Sequence, residues 1–473
     1  MNKHEKSLAS NDNRMTASEI AADIKSGKTS CRETVAFFLE RIKRLNPDIH
    51  ALVQVFEKAA LQRAKAADEA LQQGKDWGPL HGVPVTIKEA FDYRGSYTTA
   101  NFRPRFLSQT HNNATIVNKL ENAGAIILGK TNNPALLIDH QTRGFIYKRA
   151  NNPHRLDYTP GGSSGGGAAA VAAGFTPLDF GSDSGGSLRI PAHFCGVFSL
   201  KPTAGQVPLE GLRPPFGKQP ESFRRLVGVG PMARSVNGLE LGYQAIREAR
   251  PSSKLPLPNL QSYSVAWTNG FGPHQADGKS YEALNKLVYK ISGKGILAKE
   301  DSPETDWTQA FQAWAVLFGQ MIGQAIPAFL KWPVRACFRY LPFSGPFFGP
   351  YIAQGITDKG KLLSSAYSIQ KEVVSGLETF FENYDFLICP VAATNAFTHR
   401  MTGTPIWDSD GRSVPYWQNT LPYVCPFNLS GHPVLVIPVA EDTDGLPIGL
   451  QVATRRGGER SLLHFGRYLE TDL

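Results

Sequence analysis

The chain has 473 residues, of which 41% are hydrophobic and 19% are charged, and its formal net charge is +9. This is the composition of a globular protein with ample apolar material for a core, and it excludes a mostly disordered chain. The basic residues do not form a long run, so the positive charge indicates ordinary solubility and we expect no nucleic-acid binding.

The N-terminal region is predicted to be a tail followed by helices. We expect residues 1–14 to be a polar, flexible tail and residues 15–473 to be a single domain. Thr16 and Glu19 have the spacing of a capping box, which predicts a helix start at this point. A second helix, with apolar residues at helical spacing, is expected to stop at Pro47, and the Ala-rich residues that follow predict a third.

Short apolar runs alternate with helical patterns along the rest of the chain. The predicted strands lie at 83–87, 125–128, near 227, and at 264–267, 386–389 and 434–438. This alternation predicts an α/β fold organised around one sheet.

Cysteine and histidine placement predicts neither disulfides nor a metal site. The five cysteines are scattered and show no C-x-x-C spacing, so we predict free thiols and a cytoplasmic protein. The histidines lack metal-site spacing, and we expect no metal and no organic cofactor. The first residues lack the apolar segment of a signal peptide, and we expect no transmembrane helix.

The most informative stretch is residues 161–187, which contains nine glycines and five serines. A flexible linker does not explain it, because residues 168–173 within it are helix-forming and apolar structure resumes after it. Two tight loops joined by a helix fit better, since glycine lets main-chain N–H groups approach a ligand. A phosphate-binding loop would need a Lys-Ser/Thr ending that is missing here.

The residues alone leave two serine arrangements open. The residues from Gly162 to Gly166 have G-x-S-x-G spacing, with Ser164 as the nucleophile of an elbow, but no strand is predicted before them. In the second arrangement a base activates Ser187. Lys88 ends an apolar run and suits that role if burial keeps it neutral, although a lysine at a strand end is more often a surface charge.

These motifs resemble those of the amidase signature family. Residues 161–166 read Gly-Gly-Ser-Ser-Gly-Gly, residues 181–191 read Gly-Ser-Asp-Ser-Gly-Gly-Ser-Leu-Arg-Ile-Pro, and residues 82–89 carry the family's lysine motif. Shorter family-like pieces, including 428–433 and 445–451, extend over most of the chain. The resemblance implies the amidase signature fold, in which helices cover both faces of a large, twisted, mixed β-sheet.

The family motifs fall into two core segments, 80–240 and 384–455. The intervening region, about 251–380, matches poorly and is expected to be a variable helical region that caps the substrate.

The resemblance also implies a Ser–Ser–Lys triad. Ser187 would be acylated, and Ser163 would bridge it to Lys88, with a cis peptide bond after Gly162. Lys88 would take up a proton and later return it to the leaving amine. Backbone N–H groups would form the oxyanion hole, at Ser184, Gly185, Gly186 and Ser187. The residues implied to orient these loops are Ser164, Asp183 and Arg189.

This constellation predicts hydrolysis of a carboxylic amide to an acid and an amine or ammonia, through a seryl acyl-enzyme. Residues 307–351 hold twelve aromatic residues and no acidic one. Three interpretations of this segment are core and subunit-interface helices, an apolar pocket wall and a peripheral membrane contact. Its prolines argue against the membrane contact, and we expect the segment to favour a hydrophobic or aromatic amide.

Two other functions stay open. The chain could be the glutaminase subunit of a tRNA-dependent amidotransferase, which shares this triad and works with a partner. It could also be a non-catalytic binding protein on the same scaffold, but the intact Lys88, Ser163 and Ser187 argue against this. The expected partner is a small-molecule amide, and the resemblance is compatible with a homodimer.

Overall fold

The computed structural model describes residues 16–102, 109–213, 219–248, 257–340, 345–358 and 360–472. The predicted tail at 1–14 lies outside these ranges. The helices are α1 (Ala17–Lys25), α2 (Cys31–Ile49), α3 (Glu57–Gln72), α4 (Thr115–Asn122), α5 (Gly165–Ala172), α6 (Arg189–Cys195), α7 (Glu221–Leu226), α8 (Val236–Ile246), α9 (Gly278–Gly293), α10 (Trp307–Ala325), α11 (Ala328–Tyr340), α12 (Gly345–Thr357), α13 (Lys361–Asn383), α14 (Leu421–Ser430) and α15 (Glu459–Asp472). The strands are β1 (Leu52–Val55), β2 (Pro84–Lys88), β3 (Ile126–Thr131), β4 (Leu178–Asp183), β5 (Phe198–Lys201), β6 (Gly228–Ala233), β7 (Ser264–Trp267), β8 (Gly270–Phe271), β9 (His274–Gln275), β10 (Leu297–Glu300), β11 (Phe386–Pro390), β12 (Ile406–Trp407), β13 (Ser413–Val414), β14 (Val434–Glu441) and β15 (Pro447–Ala453).

The first two helices begin and end for local reasons. The Thr16 hydroxyl accepts the Glu19 N–H and the Glu19 carboxylate accepts the Thr16 N–H, which confirms the predicted capping box. The prediction that Pro47 stops α2 is wrong, because the helix runs on to Ile49. Pro47 lies in the last turn, where its fixed φ fits the helix and only one backbone hydrogen bond is lost. His50, with φ at 53°, then ends the helix.

A mixed sheet of 11 strands forms the centre of the described chain. Its order is β1-β3-β2-β4-β6-β5-β14-β15-β11-β7-β10. The neighbours β3, β2 and β4 are parallel, and so are β11, β7 and β10, whereas the other pairs are antiparallel. Every residue of β2, β4 and β15 is buried, so helices must cover both faces of the sheet. This confirms the expected fold class.

The topology brings two strand ends together at one edge of the sheet. β2 and β4 are parallel neighbours, with Thr86 opposite Asp179. β2 ends at Lys88 and β4 ends at Asp183. In open α/β sheets, ligands bind outside the carboxyl ends of the strands, and this edge is where the predicted site residues converge.

The aromatic-rich segment folds into α10, α11 and α12. The expectation that prolines break every long helix here is wrong, because α10 has 19 residues and Pro333 and Pro350 lie inside α11 and α12. Phe343, one of the twelve aromatic residues, lies outside the described ranges. Among the described helices, none has both the length and the apolar character needed to cross a membrane.

Candidate active site

Lys88 is a buried lysine at the end of β2 that contacts two serines. Its side chain is 0% exposed, and its Nζ donates to Ser163 Oγ at 2.7 Å and to Ser182 Oγ at 3.1 Å. Burial lowers the pKa of Lys88 to about 7, and the negative charges of Asp183 and Asp179 offset only part of this shift. A lysine with this pKa is substantially neutral near pH 7, so it can act as a base.

Ser163 lies in the turn before α5. The Gly162–Ser163 peptide bond is cis, as the resemblance implies. The turn passes close to a second loop, because a Cβ on Gly162 would lie 2.4 Å from the Asp139 carbonyl oxygen. Glycine therefore allows the approach that places the Ser163 hydroxyl against Lys88.

Ser187 lies in the loop between β4 and α6 and is 7% exposed. Its carbonyl oxygen accepts the Ser164 N–H at 3.1 Å, which joins the two glycine-rich loops. Although both residues are described, no hydrogen bond links the Ser187 and Ser163 hydroxyls, so only the lysine half of the predicted triad is connected. Catalytic hydrogen bonds are often long without substrate and tighten when it binds.

The geometry around Ser164 does not favour the nucleophile-elbow alternative. Its side chain is 0% exposed, and its Oγ donates to the Ser182 carbonyl oxygen at 3.3 Å. Residues 151–160, all of them described, contain no strand that would lead into an elbow. Ser164 instead precedes the first turn of α5 and helps to hold the loop.

Asp183 and Arg189 form a fully buried, two-pronged ion pair. Arg189 Nε lies 3.0 Å from Asp183 Oδ2 and its Nη2 lies 3.1 Å from Oδ1. Asn428 Nδ2 donates to Asp183 Oδ1 at 2.8 Å, and Arg189 Nη1 donates to Gln451 Oε1 at 3.1 Å. Burial opposes the charge of Asp183, but Arg189 and Asn428 hold the pKa of this carboxyl well below its usual range. Both predicted residues thus lie beside the nucleophile loop as a fixed ion pair.

The loop from Ser184 to Ser187 divides its backbone donors between two uses. The Gly186 N–H donates to Asp183 Oδ1 at 2.8 Å and is therefore engaged in holding the loop. The N–H groups of Ser184, Gly185 and Ser187 find no acceptor in the described part of the chain. The structure thus leaves three of the four predicted oxyanion-hole donors available.

Trp314 closes one side of this loop. Its Nε1 donates to the Ser184 carbonyl oxygen at 3.0 Å. A Cβ on Gly185 would lie 2.8 Å from the indole ring, so the ring packs directly on the glycine backbone. The aromatic segment therefore contributes a wall of the site.

Two small cavities flank the serines and share Ser184 as a lining residue. One, of about 20 Å³, contains Ser187, and the other, of about 40 Å³, contains Ser163. The first is lined by the apolar side chains of Leu137, Ile138, Trp314, Phe318, Trp417 and Leu421 and by the polar side chains of Asp139 and His140. The second is lined mainly by Leu212, Phe223, Val227, Met321 and Ile322. Both walls are mostly apolar, which suits a hydrophobic substrate.

Sequence reasoning missed several residues of the site. Ser182 stands in a quoted motif, yet nothing in the motif shows that it contacts Lys88. Asn428 and Gln451 lie in the family-like pieces, but their contact with Arg189 depends on tertiary structure. Asp179 is one of two acidic residues in β4, which reads Leu-Asp-Phe-Gly-Ser-Asp, and nothing in that stretch shows that its side chain lies beside Lys88.

Comparison with known proteins gives a consistent result. A family model described as Amidase matches residues 33–305 and 343–463. A glutamyl-tRNA(Gln) amidotransferase subunit of Moorella thermoacetica is 30% identical, and the match covers 95% of this chain and 94% of that protein. An acylamidase of Rhodococcus erythropolis is 29% identical, with 93% and 92% covered. A crystal structure of an amidase is 26% identical, with a TM-score of 0.83 and coverage of 97% and 100%.

Proposed function

Because this chain belongs to the amidase signature family and is an amide-hydrolysing enzyme, we propose that Lys88, Ser163 and Ser187 are its catalytic triad. The observation that carries this proposal is the 2.7 Å hydrogen bond from the buried Lys88 Nζ to Ser163 Oγ. A buried lysine without a carboxylate partner in hydrogen-bond contact loses its proton readily, and the serine beside it supplies the path.

The proposed chemistry is a seryl acyl transfer. Ser187 Oγ attacks the amide carbonyl carbon while its proton passes to Ser163 Oγ, and the Ser163 proton passes to Lys88 Nζ. The N–H groups of Ser184, Gly185 and Ser187 stabilise the oxyanion. Loss of one such donor typically costs about 2.7–4 kcal/mol.

Collapse of the tetrahedral intermediate breaks the C–N bond. The Lys88 ammonium returns its proton through Ser163 to the leaving nitrogen. Water then attacks the acyl-enzyme by the same route, which releases the acid and regenerates the Ser187 hydroxyl.

We further propose a hydrophobic or aromatic amide as the substrate. The two cavities beside Ser187 and Ser163 have apolar and aromatic walls. Contact between an apolar wall and a polar acyl chain contributes little binding free energy, because the polar groups of that chain lose water and find no hydrogen-bond partner. We expect aryl and alkyl amides to be hydrolysed with a higher kcat/KM than small polar amides.

Labelling with a fluorophosphonate probe, followed by peptide mass spectrometry, tests the triad. We expect the label on Ser187, and we expect Lys88→Ala and Ser163→Ala to lower its rate by roughly 100-fold or more. Ser164→Ala is the matched control, since it removes a neighbouring buried hydroxyl that the proposal leaves out of proton transfer. A label on Ser164, or equal labelling of Lys88→Ala and the native protein, would contradict the proposal.

A second candidate function follows from the relative named as an amidotransferase component. With this function, the chain would release ammonia from glutamine and pass it to a partner protein. The apolar cavity walls argue against glutamine as the substrate. Turnover of glutamine by the purified chain, without turnover of aryl amides, would favour this function over the first.

A further inference from the structure

The helix α11 exposes a stripe of large aromatic side chains. Phe329 is 77% exposed, Trp332 is 67% exposed and Tyr340 is 76% exposed. Their spacing places all three on one side of the helix. Single exposed aromatic residues need no explanation, but three along one face of a 13-residue helix mark a surface that binds something.

The opposite side of α11 is anchored in the molecule. Phe338 is 5% exposed and packs against Trp417, with ring centroids 5.9 Å apart. Trp417 in turn lines the cavity that contains Ser187. The exposed stripe is therefore carried by a helix whose inner face reaches the wall of the candidate active site.

A row of basic residues runs beside the aromatic stripe. Lys331, Arg335 and Arg339 follow one another at intervals of four, which places them on one side of α11. The guanidinium of Arg335 lies 4.8 Å from the centre of the Trp332 ring. No acidic residue occurs anywhere in residues 307–357, so the surface formed by α10 to α12 is purely basic in its charge.

This pattern fits a lipid surface better than a second copy of the chain. Two α11 helices facing each other would oppose three cations to three cations, which like-charge repulsion disfavours. An anionic bilayer complements the charge, and aromatic rings with neighbouring Lys and Arg are the side chains that anchor interfacial helices at the level of the headgroups. The prolines of this segment do not argue against a membrane-binding helix at α11, because Pro333 lies inside the helix without ending it.

We propose that α11 docks this enzyme peripherally on an anionic membrane surface, with Phe329, Trp332 and Tyr340 inserted at the interface and Lys331, Arg335 and Arg339 against lipid headgroups. This proposal goes beyond the proposed function and does not depend on the triad. Docking here would place the α11 side of the active-site wall next to lipid, where a hydrophobic amide is most concentrated.

Sedimentation with lipid vesicles tests the proposal on the full chain. We expect binding to vesicles of phosphatidylcholine mixed with phosphatidylglycerol, and weak binding to phosphatidylcholine alone. The double change Phe329→Ser and Trp332→Ser should lower the bound fraction by roughly fivefold or more. Replacing Lys331, Arg335 and Arg339 with Gln should remove the dependence on phosphatidylglycerol and on low salt.

Trp407 supplies a matched control, because it is 69% exposed but belongs to β12 rather than to α11. Trp407→Ser should bind vesicles like the native chain, and far-ultraviolet circular dichroism should confirm that every variant is folded. Equal vesicle binding by the α11 and Trp407 variants would overturn the proposal. A native dimer in gel filtration that the α11 double change dissociates would also overturn it, in favour of an interface between two copies of the chain.

Discussion

The proton affinity of Lys88 depends on two carboxylates of β4. Asp183 has the larger effect, and it stays ionised because it forms an ion pair with Arg189 at 3.0 Å. Asp179 contacts no cationic side chain among the described residues, and its Oδ1 accepts hydroxyl hydrogen bonds from Thr86 at 2.7 Å and Thr131 at 3.1 Å. Burial raises the pKa of Asp179 to about 7, so this carboxyl titrates in the same range as Lys88.

Asp179 lies in β4, on the face of the sheet that α5 covers. Its Oδ2 finds no hydrogen-bond partner among the described residues. A Cβ on Gly167 would lie 2.1 Å from this oxygen, so the helix covers it with bare backbone. Thr86 stands opposite Asp179 and is two residues before Lys88 on β2, so all three side chains share one face of the sheet.

We predict that Asp179→Asn moves the acid limb of the pH–rate profile to lower pH. Lys88 must be neutral to accept a proton, so activity rises with pH through the Lys88 pKa of about 7. A negative Asp179 raises that pKa, and its removal lowers it, by roughly one unit or less. The measurement is kcat/KM for a neutral aryl amide between about pH 5 and 9.

Asp277→Asn is the control for this prediction. Asp277 is also buried, but it caps α9 by accepting the Ser280 N–H at 3.0 Å, a role that asparagine fills equally well. The acid limb of the pH–rate profile of Asp277→Asn should coincide with that of the native enzyme. An unchanged acid limb in Asp179→Asn, in an enzyme that still depends on Lys88, would show that Asp179 stays protonated throughout and exerts no charge effect.

At the scale of elements, the Arg189 side chain joins four separate segments of the fold. It pairs with Asp183 at the end of β4 and donates to Asn428 on α14 and to Gln451 on β15. Arg189 itself begins α6. All of these contacts are buried, so the nucleophile loop is positioned by an ion pair that has little access to water.

We predict that Arg189→Met destabilises the fold by about 3–5 kcal/mol, because it leaves the Asp183 carboxylate buried without its cation. Urea denaturation measures this change in the free energy of unfolding. Lys286→Met is the matched control, since it breaks the exposed ion pair between Lys286 and Glu282, which should contribute little to stability because water surrounds both charges. Similar losses for the two variants would mean that the buried pair contributes no more than a surface pair.

Local patterns predict the elements of this fold well where the signal lies within a few residues. The capping box at Thr16 and the apolar run that becomes β2 are examples, because caps and buried strands are determined by neighbouring residues. Pro47 shows the limit of such reasoning, since a proline in the last turn of a helix is tolerated. The exposure of Trp332 and the burial of Trp314 could not be distinguished from sequence, because both stand in equally aromatic surroundings.

The site was predictable to the extent that its motifs are contiguous. The residues quoted from the resemblance include Lys88, Ser163 and Ser187, and the structure brings the lysine and the first serine into contact. The contact between Arg189 and Gln451 spans 262 residues of chain, and no local pattern encodes it. The hydrogen bond from the Gly186 N–H to Asp183 could not be predicted either, because it depends on the conformation of one loop.

At the scale of the whole molecule, the order of strands ties distant parts of the chain together. β14 and β15 come from the C-terminal part of the chain, yet they lie between β5 and β11 in the centre of the sheet. β7 and β10, from the region expected to be variable, extend the same sheet at its far end. Unfolding of either part would expose unpaired backbone on the strand beside it.

This topology predicts that residues 15–473 unfold as the single domain expected from the sequence. We expect the loss of fluorophosphonate labelling, of tryptophan fluorescence and of far-ultraviolet circular dichroism to share one midpoint in urea, because partial unfolding leaves strand edges unpaired. Labelling reports the loops around Ser187, whereas tryptophan fluorescence is weighted toward the region at about 251–380, which holds four of the seven tryptophans. If fluorescence changed at lower urea while labelling persisted, the region at about 251–380 would be a separate folding unit. It would then cap an active site that is already complete without it.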